Sequence, residues 1–354
     1  MNKNHLLNIQ PTLNKSVANK NIAGANILIY QNNKEIGYWE SGYRDIENKT
    51  AFSRDTICRL YSMSKPITSV AIMTLLEEGK IELYDEVKEY LPFFDKLTVC
   101  KNGKIEKCSR PLIIQDLLSM TSGYSYGGDN NESEKQISKL LYCDLDSSAA
   151  KENNITTMDF AKRMSEIPLS FEPGTDYTYG LSADILGAII ENVTGMKFSS
   201  YLKMKIFEPL EMKDTGFYVP EQNQNRLSKV YQKTKEGNLS LYESCHLGIQ
   251  NSMKLNPCFE SGGAGLVSTL DDYMKFTRML TNKGELNGKR ILQAKTVEFM
   301  KNSSLRDNLQ HCFDNRMEHL SGYTYCNLLR VCTEPSKARA ITEKGEFGWD
   351  GWLG

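Results

Sequence analysis

Apolar residues along this chain recur at two periods, and the switch between them marks out its parts. Over residues 23–53 the period is two. The run A-G-A-N-I-L-I-Y, a Gln31-Asn32-Asn33-Lys34 turn and the run E-I-G-Y-W-E-S-G-Y put Ile27, Ile29, Ile36 and Tyr38 where an antiparallel pair needs them. Over residues 59–79 the period becomes helical. Ile67, Val70, Ala71, Thr74 and Leu75 share one face, and Ile72 and Met73 make the other side apolar too. A helix apolar nearly all round belongs inside a protein. Pro66 falls in its first turn, where a missing N–H costs little, and Gly79 stands as its stop.

The middle of the chain is predicted to be helical. Residues 83–91 form a short amphipathic piece ending at Pro92, and 113–120 a short helix stopped by Thr121-Ser122-Gly123. Helices follow at 157–167, 182–194 and 198–207, each ended by Pro168, Gly195 or Pro209. The stretches 125–155 and 220–256 are polar and read as loops, the first as an insertion over a cleft. Gly262-Gly263-Ala264-Gly265-Leu266-Val267 is a glycine-rich strand entry, 269–281 a helix, and 321–349 a return to strand patterns. This order predicts an α/β (α+β) fold: an antiparallel sheet flanked by helices and built from both chain ends, with an inserted all-helical domain. The sheet domain would take 1–85 plus 255–354, and the helical domain 86–254.

Composition narrows the function. The 354 residues are 40% hydrophobic and 25% charged, with a net charge of −1. That is an ordinary globular balance with no basic field for nucleic acid and no stripe for a membrane surface. Residues 1–11 contain no apolar core of a secretory signal. The nine cysteines are scattered and lack zinc spacing. Cys100 and Cys108 flank Asn102-Gly103, but a two-residue turn there sets Cys100 opposite Ile105. Reduced thiols and a cytoplasmic location are expected. With four isolated histidines, no H-E-x-x-H, no P-loop and no dinucleotide fingerprint, no metal or cofactor is expected. The expected partner is a small ester or amide substrate; oligomeric state stays open.

The chemistry points to the mouth of the buried helix. Ser62 and Lys65 are three apart, on one face. A serine hydroxyl needs a base to take its proton, and burial is expected to bring a lysine towards neutrality for that task. The helix N-terminus adds backbone N–H groups and positive potential for an oxyanion. Ser148 with Lys151 and Ser200 with Lys203 fit S-x-x-K equally well, but only Ser62 opens an apolar helix.

Further motifs extend this. L-L-S-M-T-S-G-Y, E-P-G-T-D-Y-T-Y-G-L-S-A-D-I-L-G, S-G-G-A-G-L-V-S-T-L-D-D-Y-M-K-F and G-E-F-G-W-D-G-W-L-G, with R-L-Y-S-M-S-K-P-I-T, resemble the serine β-lactamase-like hydrolases. The likeness is to the class C side of that family and its esterase relatives, over residues 23–354. The resemblance implies Ser62 as nucleophile, Lys65 as proton acceptor and Tyr179 as second base or relay to the leaving group. A phenol beside an ammonium is expected to have a depressed pKa. It further implies an oxyanion hole from the backbone N–H groups of Ser62 and Trp352.

Departures from the family pattern bear on the substrate. Leu181 stands where β-lactamases have the asparagine of Tyr-x-Asn, and Trp349-Asp350-Gly351 where they have Lys-Thr-Gly. The substrate-binding residues are then Leu181, Trp349, Asp350 and Gly351. An apolar plane and a carboxylate in place of a cation disfavour an anionic substrate. The expectation is a carboxylesterase acting on uncharged short or medium acyl esters. The alternatives are a β-lactamase or D-amino-acid peptidase or amidase of the same fold, and a non-catalytic acylatable binding or sensor module. Family chains continue past the closing strand with two strands and a terminal helix. The resemblance therefore implies either that further strands follow Gly354 or that the sheet keeps an open edge. A rival enzyme reading takes Gly123-Tyr124-Ser125-Tyr126-Gly127 as the G-x-S-x-G elbow of α/β-hydrolases, with His246, His311 or His319 completing a triad.

Overall fold

A computed structural model describes residues 6–150 and 155–352. Helix α1 (Ile9–Ala18) packs on a meander of β1 (Gly24–Gln31), β2 (Lys34–Asp45) and β3 (Thr50–Ala51). Gln31 pairs with Lys34, so the β1–β2 turn has two residues. Asn32 and Asn33 both take positive φ, +51° and +61°, as a hairpin turn of the twist-matching type requires.

Strand β4 (Ile57–Arg59) leads into a 3₁₀ turn, Tyr61–Met63, and then into α2 (Ser64–Glu77). Every residue of α2 from Ser64 to Leu75 is buried. Burial of Ile67, Val70, Ile72, Met73 and Leu75, each fully enclosed, stabilises this helix by about 1.5–3 kcal/mol per side chain. Its polar Lys65 and Ser64 are therefore committed to an interior where each needs partners.

The hairpin β5 (Thr98–Lys101) and β6 (Lys104–Lys107) pairs Cys100 with Ile105. None of the nine cysteines is joined in a disulfide among the described residues. Helix α3 (Ile114–Leu118) follows as expected. The polar stretch 125–155, expected as a loop, is instead mostly helical: α4 (Glu132–Ser138), a π-helical turn at Lys139–Leu145, and Asp146–Ala150. Asn131 caps α4 by accepting the Glu134 N–H, and Ile137, Leu140 and Leu141 bury one narrow apolar stripe. The expected all-helical middle thus also carries hairpins, β5–β6 and a second at Tyr231–Lys233 and Leu239–Leu241.

Helices α5 (Thr157–Glu166) and α6 (Ser182–Thr194) complete the helical packing, with α6 against α2, α3 and α5. Strand β7 (Val267–Thr269) pairs antiparallel with β4, joining the two halves of the chain next to the turn that carries Ser62. Helix α7 (Leu270–Thr281) lies on β1, capped by Thr269. The last strands, β8 (Tyr323–Cys326), β9 (Leu329–Cys332) and β10 (Phe347–Gly348), form an antiparallel three-stranded sheet of their own. Among the described residues no helix is long and apolar enough to cross a membrane.

Candidate active site

The β4–β7 ladder sets the turn that carries Ser62. Leu60 N–H donates to Leu266 O, Leu266 N–H donates to Ser64 Oγ, and Tyr273 Oη donates to Met63 O. Within this frame Tyr61 takes φ +44°, a left-handed conformation unfavourable for a bulky residue. The cost is met by packing, since Tyr61 is buried against Trp352 and His246, with ring centroids 5.1 and 6.2 Å away. Strain of this kind next to a reactive side chain fixes where that side chain points.

Ser62 follows. Lys65 Nζ stands 3.1 Å from Ser62 Oγ. Lys65 is fully buried, and its Nζ also donates to Tyr126 Oη and to Gly263 O, each at 2.8 Å. Tyr179 lies over the same ammonium, 4.7 Å from Nζ to ring centroid, and its hydroxyl accepts from Trp349 Nε1 at 2.7 Å. The structure therefore brings together Ser62, Lys65, Tyr179 and Trp349, all singled out in the sequence, and adds Tyr126, which was not. The loops carrying the two tyrosines are pressed together at Gly180, where a Cβ would lie 2.1 Å from Tyr124 O. That approach leaves the Tyr126 and Tyr179 rings 5.5 Å apart.

The proton inventory differs from expectation. Burial pulls Lys65 down, but the Tyr126 and Tyr179 hydroxyls favour its charge, and the balance lies above the ordinary lysine value. Burial pushes the Tyr126 phenol up, and the lysine pulls it back only in part. Neither a neutral Lys65 nor a depressed Tyr126 phenol is the resting state. Gly263 O can only accept, whereas Tyr126 Oη and Ser62 Oγ can each accept or donate. Once one proton leaves the Lys65–Tyr126 pair, the amine lone pair can face Ser62.

The closing segment after β10 meets the turn from the other side. A Cβ at Gly351 would lie 2.7 Å from Leu60 O, so only glycine permits this approach. Trp352 stacks on His246, centroids 3.9 Å apart. Two expectations are corrected here. Leu181 is 2% exposed and packs within the main core, so its side chain is not an open surface for an acyl group. Asp350 is exposed and ion-paired with Arg330, so its charge is already partnered.

The competing Ser200–Lys203 pair carries no such site. Ser200 is exposed and Lys203 faces Glu208 at 3.7 Å, while Lys151 lies outside the described residues. The G-x-S-x-G reading fails on context. Helix α3 rather than a strand leads to Ser125, whose buried hydroxyl accepts the Gly127 N–H. Its other tyrosine, Tyr126, is what the motif contributes. Among the described residues no cluster of His, Cys, Asp and Glu could hold a metal ion.

Fold and site together define a serine hydrolase of the acyl-transferring kind. The chain belongs to the β-lactamase family: the family model described as Beta-lactamase matches residues 9–354. It is similar to Protein Rv1367c of Mycobacterium tuberculosis, 29% identical over 342 residues, 94% of this chain and 80% of that one. It is also similar to Esterase EstB of Burkholderia gladioli, 24% identical over 363 residues, 98% of this chain and 85% of that one. In fold it resembles EstCE1, a hydrolase with promiscuous acyltransferase activity, at TM-score 0.80 and 23% identity over 99% of this chain and 88% of that one. Simvastatin Synthase (LovD) from Aspergillus terreus matches at TM-score 0.77 and 22% identity, over 96% and 86%.

Proposed function

We propose that this chain is a carboxylesterase that forms an acyl-enzyme at Ser62 with uncharged short or medium acyl esters. One observation carries the reading: the closing segment presents an indole, Trp349, whose N–H is spent on Tyr179. Where an ion pair to a substrate carboxylate would be made, the site offers an apolar plane.

In this mechanism Ser62 Oγ attacks the ester carbonyl carbon. Its proton passes to Lys65 Nζ, on the form of the Lys65–Tyr126 pair that has lost one proton. The carbonyl oxygen gathers charge against the backbone N–H groups of Ser62 and Trp352. Collapse expels the alkoxide, which takes a proton through Tyr126 or Tyr179, leaving the acyl-enzyme. Water then repeats the sequence and releases the acid. Esterase EstB supports the ester assignment.

A second reading has a specific observation behind it. EstCE1 is a hydrolase with promiscuous acyltransferase activity, and in a two-step mechanism an acyl group is transferred when an acceptor such as an alcohol replaces water in the second step. The same substitution here would make an ester rather than an acid. The deciding experiment assays one preparation against p-nitrophenyl acyl esters with and without added alcohol, a chromogenic β-lactam and a D-amino-acid amide. Turnover of the esters alone supports the proposal, and a rate ordering led by the β-lactam or the amide overturns it. Acylation of Ser62 without release would instead favour a binding or sensor module.

A further inference from the structure

Asp184 is a buried carboxylate that the mechanism above does not use. It sits in the first turn of α6, 1% exposed, beneath the glycine-rich loop that faces Lys65. Its Oδ1 accepts from Ser261 Oγ at 2.5 Å and from Gly263 N–H at 3.1 Å. Ser261 Oγ in turn accepts the Ala264 N–H at 3.0 Å. The peptide unit joining Gly263 to Ala264 is therefore held at both ends. Its N–H is tied through Ser261 to Asp184, and its carbonyl is tied to Lys65. Hydrogen bonds in such a chain polarise one another, so a negative charge at one end strengthens the carbonyl as an acceptor at the other.

We propose that Asp184 is a positioning residue of the Ser62 site, holding through Ser261 the peptide carbonyl that binds Lys65 and supplying the buried negative charge opposite that lysine. The inference rests on the acyl-enzyme reading of Ser62 for its kinetic consequence only. The other groups facing Lys65 are hydroxyl-bearing side chains: Ser62, Tyr126 and Tyr179, with Tyr325 of β8 behind the two tyrosines. The groups facing Asp184 are the Ser261 hydroxyl, the Gly263 N–H and, at longer range, Lys65 and Tyr126. Asp184 is thus the buried carboxyl group that the peptide relay couples to the lysine. Burial pushes its carboxyl up, and Ser261, Lys65 and Gly263 pull it back only in part, so the balance lies above the ordinary carboxylate value.

The test separates charge from grip. Asp184→Asn keeps an Oδ1 acceptor for both donors, removes the charge and turns Oδ2 into an N–H donor. Without that charge Lys65 loses its proton more readily, so its titration midpoint falls by about one unit or more. The acylation profile moves to lower pH by the same amount. Ser261→Ala keeps the carboxyl group and breaks the grip, so acylation slows about tenfold or more, with a smaller movement of its pH midpoint than Asp184→Asn gives. Lysine Cε NMR of the full chain, with the Lys65 signal assigned from Lys65→Arg, reads the midpoint whether or not esters turn over. A wild-type chain that does not hydrolyse esters therefore removes the ester reading while the NMR titration still decides this one. An unmoved Lys65 midpoint in Asp184→Asn overturns the proposal. If that variant does not fold, a wild-type acylation rate in folded Ser261→Ala overturns it, and the slowed rate sustains it.

Discussion

Tyr126 Oη lies 2.8 Å from Lys65 Nζ, closer than Ser62 Oγ at 3.1 Å. The lysine thus shares its proton at least as intimately with this phenol as with the Ser62 hydroxyl. Removing the hydroxyl tests that relationship. Tyr126→Phe should lower kcat/KM for an uncharged ester about 10²-fold, the usual scale for a positioned proton-transfer group. The aromatic packing against Tyr179 is retained, so the melting midpoint should hold within a few degrees. Activity within twofold of wild type would take Tyr126 out of the proton path.

Covalent capture separates the two serines that the sequence offered. A fluorophosphonate probe should label Ser62, Ser62→Ala should abolish labelling, and Ser125→Ala should leave it in place. Mass spectrometry of the labelled peptide gives the answer. Label that followed Ser125 would move the nucleophile into the turn after α3.

Acylation should accelerate with pH. The base at Ser62 must be a deprotonated form of the Lys65–Tyr126 pair, and both members hold their protons above their ordinary values. The fraction competent to accept the Ser62 proton therefore grows as pH rises, and it is small at neutrality. Measured kcat/KM, corrected for spontaneous hydrolysis, should climb roughly tenfold per unit on its acid limb and continue to climb above neutrality. A plateau beginning below pH 7 would mean that a different group accepts the proton.

What was legible in the sequence was local. Ser62 and Lys65 belong to one helical turn, so spacing alone places them together, and the apolar run behind them fixes that the turn is buried. The Cys100–Ile105 register followed from Asn102-Gly103, because a two-residue turn leaves no other pairing. Tyr126 comes from 61 positions further along the chain. Nothing in its own neighbourhood distinguishes it from 17 other tyrosines until the Gly180 approach packs it beside Tyr179. Helix α4 was obscured because its buried stripe is narrow and its flanks are Asn, Ser and Glu, which also suit turns. Leu181 was misjudged for a related reason. Its place in the motif fixes which residue it replaces, but only packing decides which way the side chain points.

Substrate preference is the furthest-reaching consequence. Attack by Ser62 and charge capture by backbone amides are common to esters and β-lactams, so they do not discriminate. Discrimination lies in the groups that hold the rest of the substrate. A β-lactam asks for an amide donor where Leu181 is buried in the core, and for a cation where Trp349 donates its one N–H to Tyr179. Each missing partner costs on the order of 1–3 kcal/mol when desolvated. Two such losses amount to roughly 30-fold or more in kcat/KM against the β-lactam. Asp350, paired with Arg330, adds little to that difference. An uncharged acyl ester needs neither contact and can lie against the Trp349 face. Ester hydrolysis should therefore exceed β-lactam hydrolysis in catalytic efficiency on the same enzyme, and Trp349→Lys should narrow the gap by restoring a cation at the closing segment. Faster turnover of the β-lactam by the wild type, or a gap that Trp349→Lys leaves unchanged, would show that these positions do not set the preference.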